Sequence, residues 1–478
     1  MPNYLITVSG EIPLRSKRTR PRFYRKLIKN IEDLASRIGA RVLESEIIDA
    51  KIFISTDKDI LDKLQMVFGI HRVARVFVFK FDDLKSLAET VSEMTKNKVI
   101  GKKFAVRVKR SGKHDFTSLD VAREIGSLLR PHSSGVDLED PDVVIELEVR
   151  GNMAYLYEES VKGPGGLPIG IEGKALVLFS GGFDSPVASW FMAKRGVEVD
   201  FLHYFMGLSK SSYYAYLVAR KLAENWLIGY RPRFIIVDFT PVIKEIIDRV
   251  EWSYRQVVLR ALMYIIGERI AEKLGYSALV TGESVGQASS QTLQNISTIE
   301  RIVKPEIPIL RPLLGFDKEE IIEYSRKIGL YDLSSKVIEA CAIAPRKVIT
   351  SPDMNKAKSM IARIDNDVIE KALSTMKVLD LLQSPPENVL LTSDLEIDFI
   401  PENALIIDVR DIEKSVSDPV KGAIHISKVN LDELPKDKTI MFICDTGSIS
   451  SLFARELRER GFKAYSLKGG LSACKRHD

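Results

Sequence analysis

A serine- and glycine-rich turn, Ser180–Ser185 (SGGFDS), joins an apolar segment typical of a buried strand to a segment typical of a helix. Backbone N–H groups in such a turn, together with the positive end of the helix, can hold phosphate oxygens. Its glycines would let the backbone approach an anion, and the hydroxyls of Ser180 and Ser185 would add donors. The turn lacks the Gly-Lys-Ser/Thr ending of the P-loop in kinases and GTPases. We therefore predict a phosphate-binding loop of another kind, with a ligand-free turn as the alternative.

A second candidate site is the loop Cys444–Ser450 (CDTGSIS), which lies between the predicted strand TIMFI and the predicted helix SLFARELRERG. A loop that curls around a thiol at a helix N-terminus surrounds the sulfur with N–H donors, which favours a thiolate and stabilises a persulfide anion. A cysteine phosphatase needs arginine six positions after its nucleophile, whereas this chain has Ser450 there. The pattern therefore favours sulfur transfer over phosphate-ester chemistry. The alternative is a structural Cys444 in an inactive domain.

The composition limits the class of protein. A chain of 478 residues with 45% hydrophobic and 28% charged residues is long enough for three or four folded domains. Its three cysteines, Cys341, Cys444 and Cys474, are too few for a disulfide framework and too dispersed for a zinc cluster. The N-terminus lacks a signal-peptide pattern and no apolar run reaches the roughly 20 residues of a membrane span. We expect a cytoplasmic protein with no membrane partner.

The net charge of +5 is modest, but basic residues cluster in the N-terminal part. Residues 15–29 contain eight Lys or Arg and no acid, and residues 102–113 contain six and no acid. Phe23, Tyr24 and Phe104 are interleaved with them, a composition that suits a polyanion with exposed bases. The alternative for either stretch is a solvated surface. Two such stretches favour nucleic acid.

The elements that would position these sites form four groups. The first 75 residues alternate strand, helix, strand, helix, strand and predict a small α+β sandwich. From about Leu84 a helix, a strand, a helix and two paired strands follow, up to a Gly/Pro linker, KGPGGLPIG. Further strand–helix alternation predicts a doubly wound parallel sheet that carries SGGFDS, with a helical region ending near Leu382. The last 90 residues predict a small α/β unit, so the fold class is multidomain α/β and α+β.

The loop SGGFDS resembles the SGGxDS loop of the PP-loop ATP pyrophosphatases, which adenylate their substrates with ATP. Over almost the whole chain, the sequence resembles the tRNA 4-thiouridine synthetase family. GEIPLRSKRTRPRF is similar to that family's ferredoxin-like domain. FAVRVKRSGKHDFTSLDVAREIG and VDLEDPDVVIELEVRG are similar to its RNA-binding THUMP domain. TGESVGQASSQT and LRPLLGFDKEEII are similar to its later nucleotide and substrate loops, and IIDVRD, KGAIHI and SLKGGLSAC are similar to a rhodanese domain. The resemblance implies a ferredoxin-like domain at 1–75, a THUMP domain at 76–168, a PP-loop domain at 169–382 and a rhodanese domain at 383–478.

At positions that match the family's pattern, the resemblance implies a set of residues that contact ATP. They are Leu178, Phe179, Ser180, Gly181, Gly182, Asp184, Ser185, His203, Tyr204, Arg260, Gly282 and Gln291. Strand ends at one edge of a parallel sheet converge where such folds bind ligands, a guanidinium such as Arg260 could pair with phosphate, and Gly282 permits close backbone approach. His203 could equally be a packed histidine at a strand end.

Asp184 and Lys318 match positions that the family uses around the reacting nucleotide. The carboxylate could help to place Mg²⁺, and the ammonium could neutralise phosphate charge in the transition state. Lys318 could instead be an exposed lysine at a helix start. The cofactors implied are ATP and Mg²⁺.

The resemblance also implies roles for the cysteines. Cys444 would carry a persulfide, and Cys341 would then form a transient disulfide with it, as a cysteine at this place does in family members with a rhodanese domain. Cys341 alone could instead be a buried small residue, and we interpret Cys474 as a packing residue. The short polar segment SPPENV predicts a mobile rhodanese domain.

The partners implied are tRNA, modified at uridine eight, and a cysteine desulfurase or another persulfide donor. A homodimer is expected if one subunit holds the acceptor stem that the other modifies. Two other functions stay open: a tRNA-binding protein without catalysis, and an enzyme that supplies sulfur mainly to thiamine thiazole synthesis.

Overall fold

The protein is described by a computed structural model over residues 1–207, 209–337, 349–389 and 395–474. It has two compact units, Met1–Ile171 with Lys194–Gly196, and Glu172–Ala193 with Val197–Asp478.

The first unit contains eight strands and four helices. They are β1 (Asn3–Val8), α1 (Arg20–Arg37), β2 (Val42–Ile48), β3 (Lys51–Thr56), α2 (Leu61–Leu64), β4 (Ile70–Lys80), α3 (Leu84–Val99), β5 (Lys103–Ser111), α4 (Ser118–Leu129), β6 (Gly135–Val136), β7 (Val143–Arg150) and β8 (Met153–Lys162).

All eight strands form one mixed sheet in the order β2-β3-β1-β4-β8-β7-β5-β6. Strand β4 pairs with β1 on one side and with β8 on the other, so the predicted ferredoxin-like and THUMP domains share a sheet. The domain boundary predicted between residues 75 and 76 lies inside β4. Helices α3 and α4 bury Leu87, Val91 and Ile125 in one core with Phe104 of β5 and Leu147 of β7.

Strand β2 was missing from the predicted element order. Most of its residues are exposed, because β2 is at the edge of the sheet, and its sequence VLESEII lacks a clear alternation of apolar and polar residues. Its exposed Glu44 and Glu46 disfavour pairing with another chain, as charged residues commonly do on edge strands.

The larger unit begins with strands and helices that alternate along the chain. Its elements are β9 (Lys174–Leu178), α5 (Asp184–Lys194), β10 (Glu198–Phe205), α6 (Ser209–Asn225), β11 (Arg233–Asp238), α7 (Thr240–Arg249), α8 (Arg255–Leu274), β12 (Leu279–Val280), α9 (Leu293–Val303), β13 (Ile309–Leu310), α10 (Lys318–Lys327), α11 (Tyr331–Ser334), α12 (Met354–Ile361), α13 (Asn366–Ser374) and β14 (Lys377–Asp380).

Their sheet has the order β13-β12-β9-β10-β11-β14. Strands β9, β10 and β11 are almost entirely buried, as expected for central parallel strands covered on both faces. The sheet is parallel except for β14, which is antiparallel to β11. The predicted parallel sheet is confirmed, but the expectation of helix up to Leu382 was wrong at β14, where edge pairing with β11 overrides the local pattern.

The last part of the chain forms a second, smaller sheet. Its elements are β15 (Glu396–Ile397), β16 (Leu405–Asp408), α14 (Ile412–Ser417), β17 (Ala423–His425), β18 (Ile440–Ile443), α15 (Ser448–Glu459), β19 (Ala464–Leu467) and α16 (Leu471–Cys474). The sheet is all parallel, in the order β15-β19-β18-β16-β17. The predicted multidomain fold class is therefore confirmed. Within the described ranges, the chain has no helix that is both long and apolar enough to cross a membrane.

Candidate active site

The predicted phosphate loop lies between β9 and α5 and is tightly folded. The Ser185 hydroxyl accepts from the N–H groups of Ser180 and Gly181 at 3.1 and 3.2 Å, and the Ser180 hydroxyl accepts from Gly182 N–H at 3.2 Å. Gly181 has φ +83°, and a Cβ there would lie 2.5 Å from the Cα of Ala215 on α6. The loop therefore needs glycine for its conformation and for its packing, and the serine hydroxyls occupy N–H groups that a phosphate would otherwise engage.

Asp184 begins α5 and receives two donors. Lys318 Nζ lies 2.9 Å from Oδ1, and the Gln287 side-chain amide donates to Oδ2 at 3.0 Å. Lys318 is the first residue of α10, which is held by a capping box between Asp317 and Glu320. The structure thus brings the predicted Asp184 and Lys318 together and adds Gln287, which the sequence analysis missed.

The segment after β12 packs directly on the phosphate loop. A Cβ at Gly282 would lie 2.8 Å from the backbone of both Asp184 and Ser185, so glycine is required by protein packing. Gln291 closes the same segment, because its side-chain oxygen accepts from Ser284 N–H at 3.2 Å.

A buried cluster of charges is centred on Glu283. Its carboxylate pairs with Arg260 and, at 2.7 Å, with Arg311 Nε, and it accepts from the hydroxyl of Tyr264 at 2.6 Å. Burial would raise the pKa of Glu283, but Arg260, Arg311 and Tyr264 outweigh that effect and hold the pKa below its usual value. Arg260, predicted to contact nucleotide, is thus paired with a carboxylate.

His203 is a packed histidine whose two ring nitrogens both have protein partners. Nδ1 donates to the Phe179 carbonyl at 2.9 Å, so Nε2 accepts from the Ser212 hydroxyl at 2.8 Å. Burial lowers the pKa of His203 to about 4, so the ring is neutral near pH 7. Both ring nitrogens are therefore satisfied within the protein, as the packed alternative expects, and a contact between His203 and ATP stays a prediction.

One cavity of about 780 Å³ joins these groups. It is lined by all the predicted nucleotide residues except Gly181 and Gly182, namely Leu178, Phe179, Ser180, Asp184, Ser185, His203, Tyr204, Arg260, Gly282 and Gln291, with Lys318.

Three polar residues of this site were not singled out from the sequence. Glu283 and Gln287 lie in TGESVGQASSQT, and Arg311 follows β13. A signal was available, because polar residues directly after buried strands of a parallel sheet meet at one edge. Which of them pair with each other depends on tertiary packing.

The second predicted site is the loop between β18 and α15. Cys444 is 3% exposed, and its Sγ accepts from Gly447 N–H at 3.1 Å and lies 3.2 Å from the Ser450 hydroxyl. Lys414 is paired with the neighbouring Asp445 at 2.6 Å. A Cβ at Gly470 would lie 2.5 Å from the backbone of Asp445 and Cys444, which explains the glycine of the SLKGGL motif. The loop holds the thiol with an N–H group at a helix start, as predicted.

Two cysteine predictions cannot be followed here. Cys341 lies outside the described residues, so its transient pairing with Cys444 stays a prediction. Cys474 ends α16, but its side chain is not among those described, and its packing role also stays a prediction.

In the first unit, the two basic stretches fall on α1 with the turn before it and on β5. Their lysines and arginines are mostly exposed, for example Lys17, Lys102 and Lys109. Phe23, Tyr24 and Phe104 are 3%, 2% and 0% exposed. The expectation that these three rings face nucleic-acid bases was wrong, because each packs in the core of the unit.

Four family models match consecutive parts of the chain. They are a ThiI ferredoxin-like domain at residues 4–74, a THUMP domain at 81–159, "Thiamine biosynthesis protein (ThiI)" at 170–366 and a rhodanese-like domain at 395–477. The chain is 57% identical over 472 residues to the tRNA sulfurtransferase of Desulfurococcus amylolyticus, covering 99% of this chain and 98% of that protein. The chain belongs to the tRNA sulfurtransferase family. The family resemblance drawn from the sequence is thereby confirmed, and the protein is an enzyme.

Two further relatives of this tRNA sulfurtransferase are shorter. A probable tRNA sulfurtransferase of Saccharolobus solfataricus is 40% identical over 79% of this chain and 99% of its own length. A crystal structure of a 4-thiouridine synthetase–RNA complex with bound ATP is 31% identical, with a TM-score of 0.70, over 79% of this chain and 99% of that chain. About a fifth of the present chain therefore has no counterpart in either.

Replacing Glu283 with Gln should destabilise the enzyme by about 3 kcal/mol, because two partly buried arginines lose the buried carboxylate that they share. The change is measured as the free energy of unfolding in denaturant. Glu300→Gln is the matched control, since Glu300 also pairs with Arg311 but is 40% exposed, and it should cost less than about 1 kcal/mol. Equal effects of the two substitutions would contradict the central position of Glu283.

The stability of the enzyme should fall on acidification because of His203. The pKa of His203 is lowered in the folded chain, so on acidification the unfolded chain binds the extra proton at a higher pH than the folded chain. The stability that neutral His203 contributes above about pH 6.5 is therefore lost as the pH falls toward 4. The loss attributable to His203 is about 3 kcal/mol. Unfolding free energies of the wild type and His203→Gln, measured from pH 7.5 to 4, should converge at the acidic end. Parallel curves would show that His203 does not titrate in this way.

Gln287→Met should lower kcat for sulfur transfer to tRNA about 10-fold with little change in KM for ATP, because Asp184 loses one of its two donors. Gln256→Met is the control, since Gln256 lines the same cavity but has no described contact with Asp184. A rise in KM with unchanged kcat would assign Gln287 to nucleotide binding instead.

Proposed function

We propose that this enzyme converts the uridine at position eight of tRNA to 4-thiouridine, with ATP activating the base and a Cys444 persulfide supplying the sulfur. The observation that carries the proposal is the single cavity in which the phosphate loop, Asp184 and Lys318 meet. The same chain carries a cysteine loop of the sulfur-transfer type in its rhodanese-like part. The related 4-thiouridine synthetase that holds RNA and ATP supports these two substrates here.

ATP fits the cavity with its phosphates at the loop Ser180–Ser185 and its adenine beside the ends of β9 and β10. The positive end of α5 favours the phosphates. Lys318 would leave Asp184 partly or wholly for the phosphate charge that develops during the reaction. Arg260 stays on Glu283 and forms part of a fixed polar wall.

Asp184 is the residue that would hold Mg²⁺. The described residues contain no group of three or more His, Cys, Asp or Glu side chains placed to bind a metal. One carboxylate nevertheless suits Mg²⁺, which commonly binds one or two carboxylates together with substrate phosphates. When bound, the ion would neutralise phosphate charge.

The first chemical step is adenylation of the base. The C4 oxygen of the uridine attacks the α-phosphorus of ATP, the bond to pyrophosphate breaks, and the N3 proton leaves. This step converts a poor leaving group at C4 into AMP. Lys318 and the loop donors stabilise the charge on the phosphates.

The second step transfers sulfur. The terminal sulfur of the Cys444 persulfide attacks C4, and AMP leaves, which joins tRNA to Cys444 through two sulfurs. The thiolate of Cys341 then attacks Cys444 Sγ, the sulfur–sulfur bond breaks, and thiolated tRNA is released. The resulting Cys341–Cys444 disulfide accepts two electrons from a cellular dithiol.

The proposal extends to the partners of the reaction. A cysteine desulfurase or a similar persulfide donor would load Cys444, and a homodimer would allow one subunit to hold the tRNA that the other modifies. We place the reaction in the cytoplasm, where unmodified tRNA and reduced thiols occur together.

A second role in sulfur supply for thiamine thiazole synthesis is favoured by one observation. The family model that matches residues 170–366 describes a thiamine biosynthesis protein. If this role were the main one, pyrophosphate release would not depend on tRNA. A purely tRNA-binding role is disfavoured by membership of an enzyme family.

The test is single-turnover thiolation of unmodified tRNA with ATP, Mg²⁺ and a persulfide donor carrying labelled sulfur. The wild type should label tRNA, Cys444→Ala should label none, and Cys341→Ala should stop at a covalent enzyme–tRNA adduct when no reductant is present. A tRNA with cytidine at position eight is the substrate control.

Normal labelling by Cys444→Ala would refute the rhodanese persulfide. Equal labelling of the cytidine-eight tRNA would refute the assigned position.

A further inference from the structure

One surface at the nucleotide-binding edge of the larger sheet is occupied by the rhodanese domain. We call it the docking surface and define it by residues at the ends of β10 and β11 and on α7. These residues are Phe205, Gly207, Asp238, Thr240 and Lys244.

Helix α15 of the rhodanese domain supplies the other side. Ser451 donates its hydroxyl to the Gly207 carbonyl at 2.6 Å. Arg455 pairs with Asp238 and lies 3.2 Å from the hydroxyl of Thr240.

Two further contacts complete this interface. The Arg455 guanidinium lies 5.6 Å from the ring centre of Phe205, and Glu456 pairs with Lys244 at 2.9 Å. Ser451 and Arg455 are four positions apart and therefore lie one above the other on α15, and Glu456 borders them along the same side of the helix.

An apolar contact accompanies the polar ones. Leu452, on the same face of α15, packs against the hydrophobic core of the nucleotide-binding domain. Ser451 is 1% exposed. The burial of Ser451 and the packing of Leu452 show that α15 is in direct contact with the domain. The interface therefore does not depend on long-range charge attraction alone.

The docking surface is continuous with the nucleotide cavity. Met206, which lies between Phe205 and Gly207 in the chain, lines that cavity. On the other side, Ser451 follows Ser450, whose hydroxyl is 3.2 Å from Cys444 Sγ. One short path of packed residues therefore joins the thiol to the cavity wall.

The interface has the character of a reversible contact. Its described hydrogen bonds and ion pairs include Ser451–Gly207, Arg455–Asp238 and Glu456–Lys244, and interfaces between domains of one chain that move relative to each other are commonly polar. A cavity of about 570 Å³ also opens beside it, lined by Asp238, Thr375, Arg455 and Arg458.

We infer that the docking surface positions the rhodanese domain for sulfur delivery, with the Cys444 loop held beside the nucleotide cavity. This inference rests on the proposed function. Lys244, Asp238, Arg455 and Glu456 are positioning residues, because they touch neither nucleotide nor sulfur. Cys444 is buried in the core of its own domain, and its loop leads directly into the docked helix α15. We therefore expect a protein donor, which must contact this loop, to load Cys444 faster when the domain is undocked.

Charge reversal at the Lys244–Glu456 pair tests the inference in the full-length enzyme. Lys244→Glu and Glu456→Lys should each slow single-turnover sulfur transfer to tRNA about 10-fold, because like charges then face each other. The double variant, Lys244→Glu with Glu456→Lys, restores opposite charges and should recover the rate to within about 3-fold of the wild type.

Two other rates distinguish a defect in docking from a general loss of activity. Pyrophosphate release with tRNA reports the nucleotide site, and persulfide formation on Cys444 from the donor reports the rhodanese site. Both should stay at the wild-type rate or, for loading, rise. Lys273→Glu and Glu402→Lys are matched controls, since both residues are exposed and lie away from the interface, and neither should slow transfer.

Arg455→Glu is the second variant and should give the same pattern. The inference is overturned if the single charge reversals leave transfer unchanged or accelerate it, or if the double variant fails to recover. A wild type that transfers no sulfur to tRNA would instead refute the proposed function. The two failures are therefore distinguishable.

Discussion

The edge of the sheet that carries the active site depends on a contact between two backbone segments. These segments approach each other with no side chain between them. Gly282 lies against Asp184 and Ser185, and the neighbouring Gly181 lies against Ala215 of α6. A side chain at either glycine would push the phosphate loop away from β12 or from α6. Because this contact holds, Gln287 reaches Asp184 and Glu283 reaches the arginines.

Two sets of paired charged residues beside this contact differ in how far they are exposed to solvent. We assign them different roles on that basis. Glu283 and its arginines are almost closed to solvent, so their charges are costly to separate and form a permanent part of the wall. Lys318 is 38% exposed in its pair with Asp184 and is therefore more weakly held. The site thus combines a fixed polar wall with one solvent-exposed ion pair, and the function we propose uses the lysine of that pair at the phosphates.

The sequence predicted those features that depend on neighbouring residues in the chain. SGGFDS and CDTGSIS each contain their own turn, glycines and helix start, so both loops were found before the structure. The placement of Asp184 and Lys318 in one site followed only from the family resemblance, since 134 positions separate them, and their pairing with each other was not predicted. Glu283, Gln287 and Arg311 were missed, because the partner of a charged residue is decided by tertiary packing.

Burial was the least predictable property. Phe23, Tyr24 and Phe104 were expected beside nucleic acid and are instead core residues, while His203 could not be assigned until its two partners were known. Strand β2 shows the reverse case, an exposed edge strand whose sequence has little apolar periodicity. An isolated sequence window cannot distinguish these environments.

The docked helix α15 has a consequence for affinity. Because it belongs to the same chain as its docking surface, its effective concentration there is on the order of millimolar. A contact that would be too weak between separate proteins is then occupied for much of the time and still releases quickly. Covalent attachment thus allows a weak contact to give fast exchange between loading and delivery.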